Sequence, residues 1–452
     1  MGSLYQGVSA MRACCKSSTF LMSLVLLALL VVVAACGGDD QEEGTPGATK
    51  TPVAATQAAT GTAAAATATP ASGGEFGPGV TDTEIILGAH APMSGALGAV
   101  YAMIPNATGA YFNYINDTQG GVCGRKIIYK VEDDNYDPAK GLEVTRKLVE
   151  QDKVLALVGN LGDLDHSSAF EYLNQAGVPD LLVSAGAHKY GADPQGHPWT
   201  VQMIPDYRME GMFFGQYISE SLAGKKMAFL YENSDYGLDG VAGVKEGLDP
   251  NKNEILAELP YEANAIDIRS EVTNLKNTGA EVAVLYSTPG FTGQAIKAAD
   301  RLGWKPQFLA SYVNSDDILF QFVSPKLLEG MITFQALKLA AWRDDPAVAK
   351  HYEIMSKYGG PAPSNFTIYA QSLGELAVEM LSRACDDLTR PGLMDAIESI
   401  KGWKSDLLVE GIEVTISDTD HTALDAGRML RIVLDEGGKG SFEYFGPILQ
   451  LR

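Results

Sequence analysis

KIIYKVEDDNYDPAKGLEVTRKLVEQDKVLALV, residues Lys126–Val158, is the stretch on which the reading of the fold turns. It opens on a short strand candidate, Lys126–Val131. Asp137-Pro138 then has the form of a helix cap followed by proline in the first turn. Leu142, Thr145, Leu148 and Val149 recur at helical spacing behind it. Val154–Val158 (VLALV) is an unbroken apolar run of the kind that both faces of a sheet bury.

The same alternation extends outward. On the N-terminal side, Glu84–Ala91 (EIILGAHA) reads as a strand, and Pro105–Asn116 as a helix with Ala107, Ala110, Tyr111 and Tyr114 on one face. On the other side, Ser167–Gln175 reads as a helix that stops at Gly177-Val178-Pro179, and Asp180–Ser184 is strand-like. After Trp199 the rhythm restarts. Strand candidates Lys226–Tyr231, Glu254–Leu259, Glu281–Tyr286 and Gln307–Ala310 alternate with helices such as Ile266–Asn277. Lys350–Ile400 is mainly helical, and the chain from Leu407 is rich in strands and turns. Short apolar strands between amphipathic helices predict an α/β fold of parallel sheets covered on both faces, and two such runs predict two lobes. Ligands of open α/β sheets bind beyond the carboxyl ends of the strands. Two facing lobes therefore predict a cleft between them.

The N-terminus predicts where the chain works. Arg12 and Lys16 precede a nearly unbroken apolar run, Phe20–Ala35, that ends in Val33-Ala34-Ala35-Cys36. The run is about 16 residues, short of the roughly 20 that span a membrane. A charged start, an apolar core and small residues before a cut site predict a secretory signal peptide over residues 1–35. The small residues directly before the cysteine resemble a bacterial lipobox, which implies cleavage before Cys36 and a lipid on its sulfur. Met1 and Met11 both remain candidate starts. Residues 36–79 are Thr, Ala, Pro and Gly with few large apolar side chains, which predicts a disordered tether.

Acidic residues number 56 and basic ones 34, for a net charge of −22. That balance argues against nucleic acid as a partner, since phosphate binding needs a basic face. Five cysteines are present. Cys14 and Cys15 leave with the signal and Cys36 carries lipid. Cys123 and Cys385 are left, either to pair in an oxidising compartment or to remain separate buried thiols.

Catalytic patterns are missing from the sequence: GxSxG, GxxxxGK[ST], HExxH and a CxxC pair. His188 and His197 lack metal-ligand spacing. The acidic run Glu132-Asp133-Asp134 with Asp137 lacks the alternating ligands and fixed glycine of a calcium loop. The reading is of a protein that is no enzyme and uses no cofactor or metal.

Seven stretches then match one family in order and spacing: APMSGALG (Ala91–Gly98), GGVCGRKI (Gly120–Ile127), VEDDNYDPAKG (Val131–Gly141), RKLVEQDKVLALVGNLG (Arg146–Gly162), NQAGVPDLLVSAGA (Asn174–Ala187), YENSDYG (Tyr231–Gly237) and LGWKPQF (Leu302–Phe308). They resemble the type I periplasmic solute-binding proteins of branched-chain amino-acid (leucine/isoleucine/valine) ABC importers. The resemblance implies a three-crossing hinge, near residues 199–204, 331–335 and 407–413. It places lobe 1 at 80–200 plus 336–406, and lobe 2 at 203–331 plus 407–452.

It also implies a ligand set. Family members hold a ligand carboxylate on loops that here are Gly159–Asp163 and Ser184–His188, which brings in Asp163, Ser184, Ala185, Ala187 and His188. Tyr236 occupies the position of the aromatic that closes over the ligand. Tyr312 is read as a ligand contact from the second lobe, and Ser94, Tyr101 and Thr288 are further candidates. The chain departs from the pattern at three places, the first being the first-loop hydroxyl position, which falls at Asp163 or Leu164. Gly186 stands where a threonine is usual, and Tyr312 where amino-acid binders carry an acid for the ammonium. Either Asp163 supplies that charge from the opposite lobe, or the ligand is an organic acid without an ammonium. The expected protein is a monomeric, lipid-anchored receptor outside the cytoplasmic membrane that delivers a small carboxylate to ABC permease subunits. A sensory module working through a separate signalling partner is the alternative.

Overall fold

A computed structural model describes residues 76–450 of the chain. The expected signal peptide, the candidate lipid site Cys36 and nearly all of the tether lie outside these residues. Twelve named strands form two sheets among the described residues. The first sheet contains β1 (Glu84–Ala91), β2 (Lys126–Asp133), β3 (Ala156–Val158), β4 (Asp180–Val183) and β5 (Thr200–Gln202), in the order β2-β1-β3-β4-β5. Every pairing in it is parallel. Lys126–Val158 is indeed a strand–helix–strand unit, with Asp137 capping the helix Pro138–Arg146 through the Lys140 amide.

The second sheet contains β6 (Met227–Glu232), β7 (Ile255–Tyr261), β8 (Val282–Tyr286), β9 (Gln307–Ala310), β10 (Ile332–Gln335), β11 (Ala426–Leu434) and β12 (Gly440–Gln450). Its order is β12-β11-β10-β9-β8-β6-β7. Strands β6 to β10 pair in parallel, and β11 and β12 are added as an antiparallel hairpin. The molecule therefore has two α/β lobes. β3, β4 and β8 are buried along their whole length, as their continuous apolar runs require.

The chain passes between sheets after Gln202, after Gln335 and before Ala426. The third passage lies further along than the sequence suggested. Thr422 bridges Gln202, and Leu408 bridges Leu337, so residues 407–424 run beside the other two crossings before β11 begins. Pairing with the hinge strands holds this segment outside the second sheet.

Cys123 and Cys385 are joined by a disulfide across a sequence separation of 262. It ties the turn before β2 to the end of the long helix Asn365–Arg383. No helix among the described residues is long and apolar enough to cross a membrane.

Candidate functional site

Beyond the carboxyl ends of the strands, between the two sheets, lies a cavity of about 860 Å³ including its open mouth. Pro92 after β1, Leu161–Asp163 after β3 and Ser184 after β4 form one wall, with Phe366 and Tyr369 from the helix Asn365–Arg383. Tyr207, Tyr236, Thr288 and Tyr312 form the facing wall.

The facing wall owes its shape to a close helix pair. The helices Tyr207–Ser221 and Asp235–Gly247 cross so tightly that a Cβ on Gly243 would lie 2.0 Å from the Arg208 carbonyl oxygen. This approach brings Tyr207 and Tyr236, each near the start of its helix, to 4.6 Å between ring centroids. Tyr312 stacks on Tyr207 at 5.4 Å between ring centroids. Gly186 is explained by the same packing: a Cβ there would lie 2.4 Å from the Tyr312 hydroxyl oxygen and 2.7 Å from the Tyr207 ring. The threonine of the family pattern has no room against these two tyrosines.

Among the described residues, Asp163 is the one carboxylate on the cavity lining, and no lysine, arginine or histidine is part of that lining. Ala187 donates its amide to Asp163 Oδ1 at 3.0 Å, and Tyr207 donates its hydroxyl to Oδ2 at 2.9 Å. The second of these bonds joins the two walls. Burial pushes the Asp163 carboxyl up to about 7, against the opposing pull of those two donors. A second link between the walls runs from the Tyr136 hydroxyl to Glu232 Oε1 at 3.1 Å. Burial also raises the Glu232 carboxyl.

Six of the ten residues expected to touch ligand line the cavity: Tyr101, Asp163, Ser184, Tyr236, Thr288 and Tyr312. The other four do not. Ser94 is exposed and donates to Asn135 Oδ1 at 3.2 Å. Ala185 and Ala187 pack into a small core with Phe170, Val183 and Tyr190, so only the Ala187 amide reaches the site's chemistry. His188 is drawn to the outer edge by Asp206, 2.5 Å from its Nδ1, and its amide is held by Asp239 at 2.8 Å. Two amides of the expected carboxylate loop are thus occupied by the protein's own carboxylates.

Sequence reasoning missed Tyr136, Tyr207, Phe366 and Tyr369. Tyr136 had a legible signal. It sits in Asp133-Asp134-Asn135-Tyr136, where both Asn135 (φ 54°) and Tyr136 (φ 59°) are left-handed. Asp133 and Asp134 hold that strained turn by accepting the amides of Asn135 and Tyr136 at 3.0 and 2.8 Å. The acidic run reads as a strand end and a cap in sequence; in the fold it aims a tyrosine into the cleft.

The comparisons with known proteins agree with this architecture. Residues 84–439 match the family model described as periplasmic binding protein. An amino acid binding protein of Pseudomonas aeruginosa is 23% identical over 310 residues, 67% of this chain and 80% of that one. A branched chain amino acid ABC transporter structure from Thermus thermophilus with bound valine superposes with a TM-score of 0.72 at 19% identity, covering 82% of this chain and 97% of that one. A fatty acid ABC transporter substrate-binding protein from Thermomonospora curvata gives a TM-score of 0.71 at 24% identity, covering 84% and 95%. With a family match over more than three-quarters of its length and the two-lobed fold that goes with it, the chain belongs to the periplasmic binding protein family, a family of solute receptors rather than enzymes.

Proposed function

We propose that this protein captures a small organic acid with a largely apolar body in the cavity between its lobes and delivers it to an ABC importer. The observation that carries the reading is the lining itself. Tyrosine rings and aliphatic side chains from both lobes surround one buried carboxyl group, Asp163. Of the relatives compared, one is named for amino acids, one holds valine and one is named for fatty acids. All of these ligands are carboxylates.

Asp163 divides that class in two. A simple organic acid needs Asp163 protonated, because two facing carboxylates without a cation repel each other in an apolar site. Its affinity should fall as pH rises through about 7, approaching tenfold per unit. An α-amino acid places its ammonium against ionised Asp163. Its affinity should rise with pH up to about 7 and then level off. A thermal-shift panel of amino acids, aliphatic acids and aromatic acids finds the ligand, and calorimetry across that pH range reads the sign. The Asp163→Asn variant should abolish the pH dependence in either case. A panel in which no carboxylate stabilises the protein would sink the proposal.

The ligand-free protein carries the same linkage. The Asp163 carboxyl has a raised pKa when folded. Its contribution to stability is therefore fully present below its ordinary value of 3.8 and is lost as pH rises through about 7. Asp163→Asn should flatten that part of the stability profile.

We further propose that the lipid on Cys36 holds the receptor to the membrane as a monomer. Replacing Cys36 with Ser should release the protein from the membrane fraction while leaving ligand affinity unchanged.

A further inference from the structure

Behind the first-lobe wall of the cavity, the fold gathers three side chains that are far apart in the sequence. His90 is the next-to-last residue of β1, Asp134 follows β2, and Asp165 lies in the first turn of the helix Asp163–Ala176. All three are fully buried. One ligand atom from each lies within 4.8 Å of the others.

The hydrogen bonds around them determine where the ring protons sit. Asp180 accepts from Asn160 Nδ2 at 2.8 Å and lies 2.8 Å from His166 Nε2, so His166 carries its proton on Nε2. His166 Nδ1 is then an acceptor for His90 Nε2, 2.9 Å away. A neutral His90 is left with a bare Nδ1. That nitrogen faces Asp134 Oδ2 at 2.7 Å and Asp165 Oδ2 at 3.8 Å. Among the described residues, none donates a well-formed hydrogen bond to either Asp165 oxygen. A lone pair pressed against two buried carboxylates calls for protons or a metal ion between them.

We propose that His90 Nδ1, Asp134 and Asp165 bind a divalent cation. One imidazole and two carboxylates suit zinc or manganese(II). The neighbouring groups fit that role. A metal-bound imidazole characteristically donates its other N–H to a supporting partner, and here His90 donates to His166, itself oriented by Asp180. Gly162 closes the site from the cavity side, with its Cβ position 2.1 Å from Asp165 Oδ1. The ion would fix the turn that presents Tyr136, whose amide Asp134 holds, and the helix start that presents Asp163. Its role would be to set the cavity floor rather than to touch ligand.

The rival occupant is a pair of protons, one on His90 and one shared between Asp165 and Asp134. Burial and the Asp134 charge do raise the Asp165 carboxyl, while burial lowers His90. The experiment separates the two. The full chain is purified without a polyhistidine tag, and its metal content is measured by mass spectrometry. It is then stripped with chelator in mild denaturant and titrated with zinc, manganese(II) and cobalt(II) during thermal unfolding. The expected result is one ion per chain, a rise in Tm on metal return, and a cobalt d–d absorption band. Asp165→Asn should bind at least tenfold more weakly and lose the metal-dependent rise in Tm. A protein that carries no stoichiometric metal, ignores all three ions and tolerates Asp165→Asn, an isosteric substitute for the neutral acid, overturns the proposal. Should that variant fail to fold, stripping and reloading the unsubstituted chain decides the matter alone.

Discussion

Around the five-stranded sheet, His90, Asp134, Asp165, His166 and Asp180 are all fully buried, and a disulfide ties one end of that lobe together. The core between the seven-stranded sheet and its outer helices is built instead from Leu230, Leu285, Ala299, Leu430 and similar side chains. Buried polar groups in the second lobe, such as Glu210 and Asp316, lie toward the cleft, where they hold Tyr312 and Phe366 through backbone amides. The contrast is between two ways of fixing loops. Apolar packing stabilises a sheet but leaves the loops at its ends with many near-equivalent positions. Directional hydrogen bonds among buried groups select one of them, at a desolvation cost that the rest of the lobe must offset.

The strongest way to break this contrast is to remove the crosslink. For a sequence separation of 262, the chain-entropy model gives the disulfide about 5.6 kcal/mol, and removing a native disulfide commonly costs roughly 2–5. The Cys123→Ala/Cys385→Ala pair should therefore show the largest loss in urea unfolding. Hydrogen exchange should report it first in β1 to β5. Loss spread evenly over both sheets would mean that the lobes unfold as one unit.

Next in size is Leu430→Ala in β11, a fully buried side chain in the second core. Truncation of a buried leucine costs about 3 kcal/mol. Because Leu430 packs among apolar side chains, the variant should weaken the protein without altering the pH dependence of ligand binding. A changed pH profile would show that the packing of the second lobe reaches Asp163.

The same contrast explains what could be read from the sequence. The apolar lobe frame was legible, because strand periodicity and continuous apolar runs are local. Glu84–Ala91 and Gln307–Ala310 fall on β1 and β9 residue for residue. Ser184 and Tyr236 were legible as cavity residues through the family phrases that contain them, and Asp163 through the loop that continues one of those phrases. Tyr207, Phe366 and Tyr369 were not. Their part in the site depends on a close helix crossing and on a long helix whose cleft-facing side looks, in sequence, like any other core stripe. His90 and Asp165 were illegible for a related reason: 75 positions apart in the chain, they meet only because parallel strands bring their ends together. A loop's chemistry is decided by its neighbours in space, and parallel topology makes those neighbours distant in sequence.

The smallest expected effect tests whether surface charge between the lobes belongs to either class. Lys189 Nζ lies 2.7 Å from Asp235 Oδ2, bridging the lobes with both side chains more than a third exposed or close to it. Solvent and salt screen such a pair, so Lys189→Ala should change stability by no more than about 0.5 kcal/mol, and less at high ionic strength. The bond from Tyr207 to Asp163, buried at both ends, makes the opposite case across the same gap. Tyr207→Phe strands a carboxylate oxygen and should cost more than Lys189→Ala, in the range of about 1–3 kcal/mol. Denaturant melts of the two variants side by side read the difference directly. If Lys189→Ala proved the costlier of the two, the lobes would be held together at their rim, and the buried tyrosine–carboxylate contact would be shaping the cavity without holding it closed.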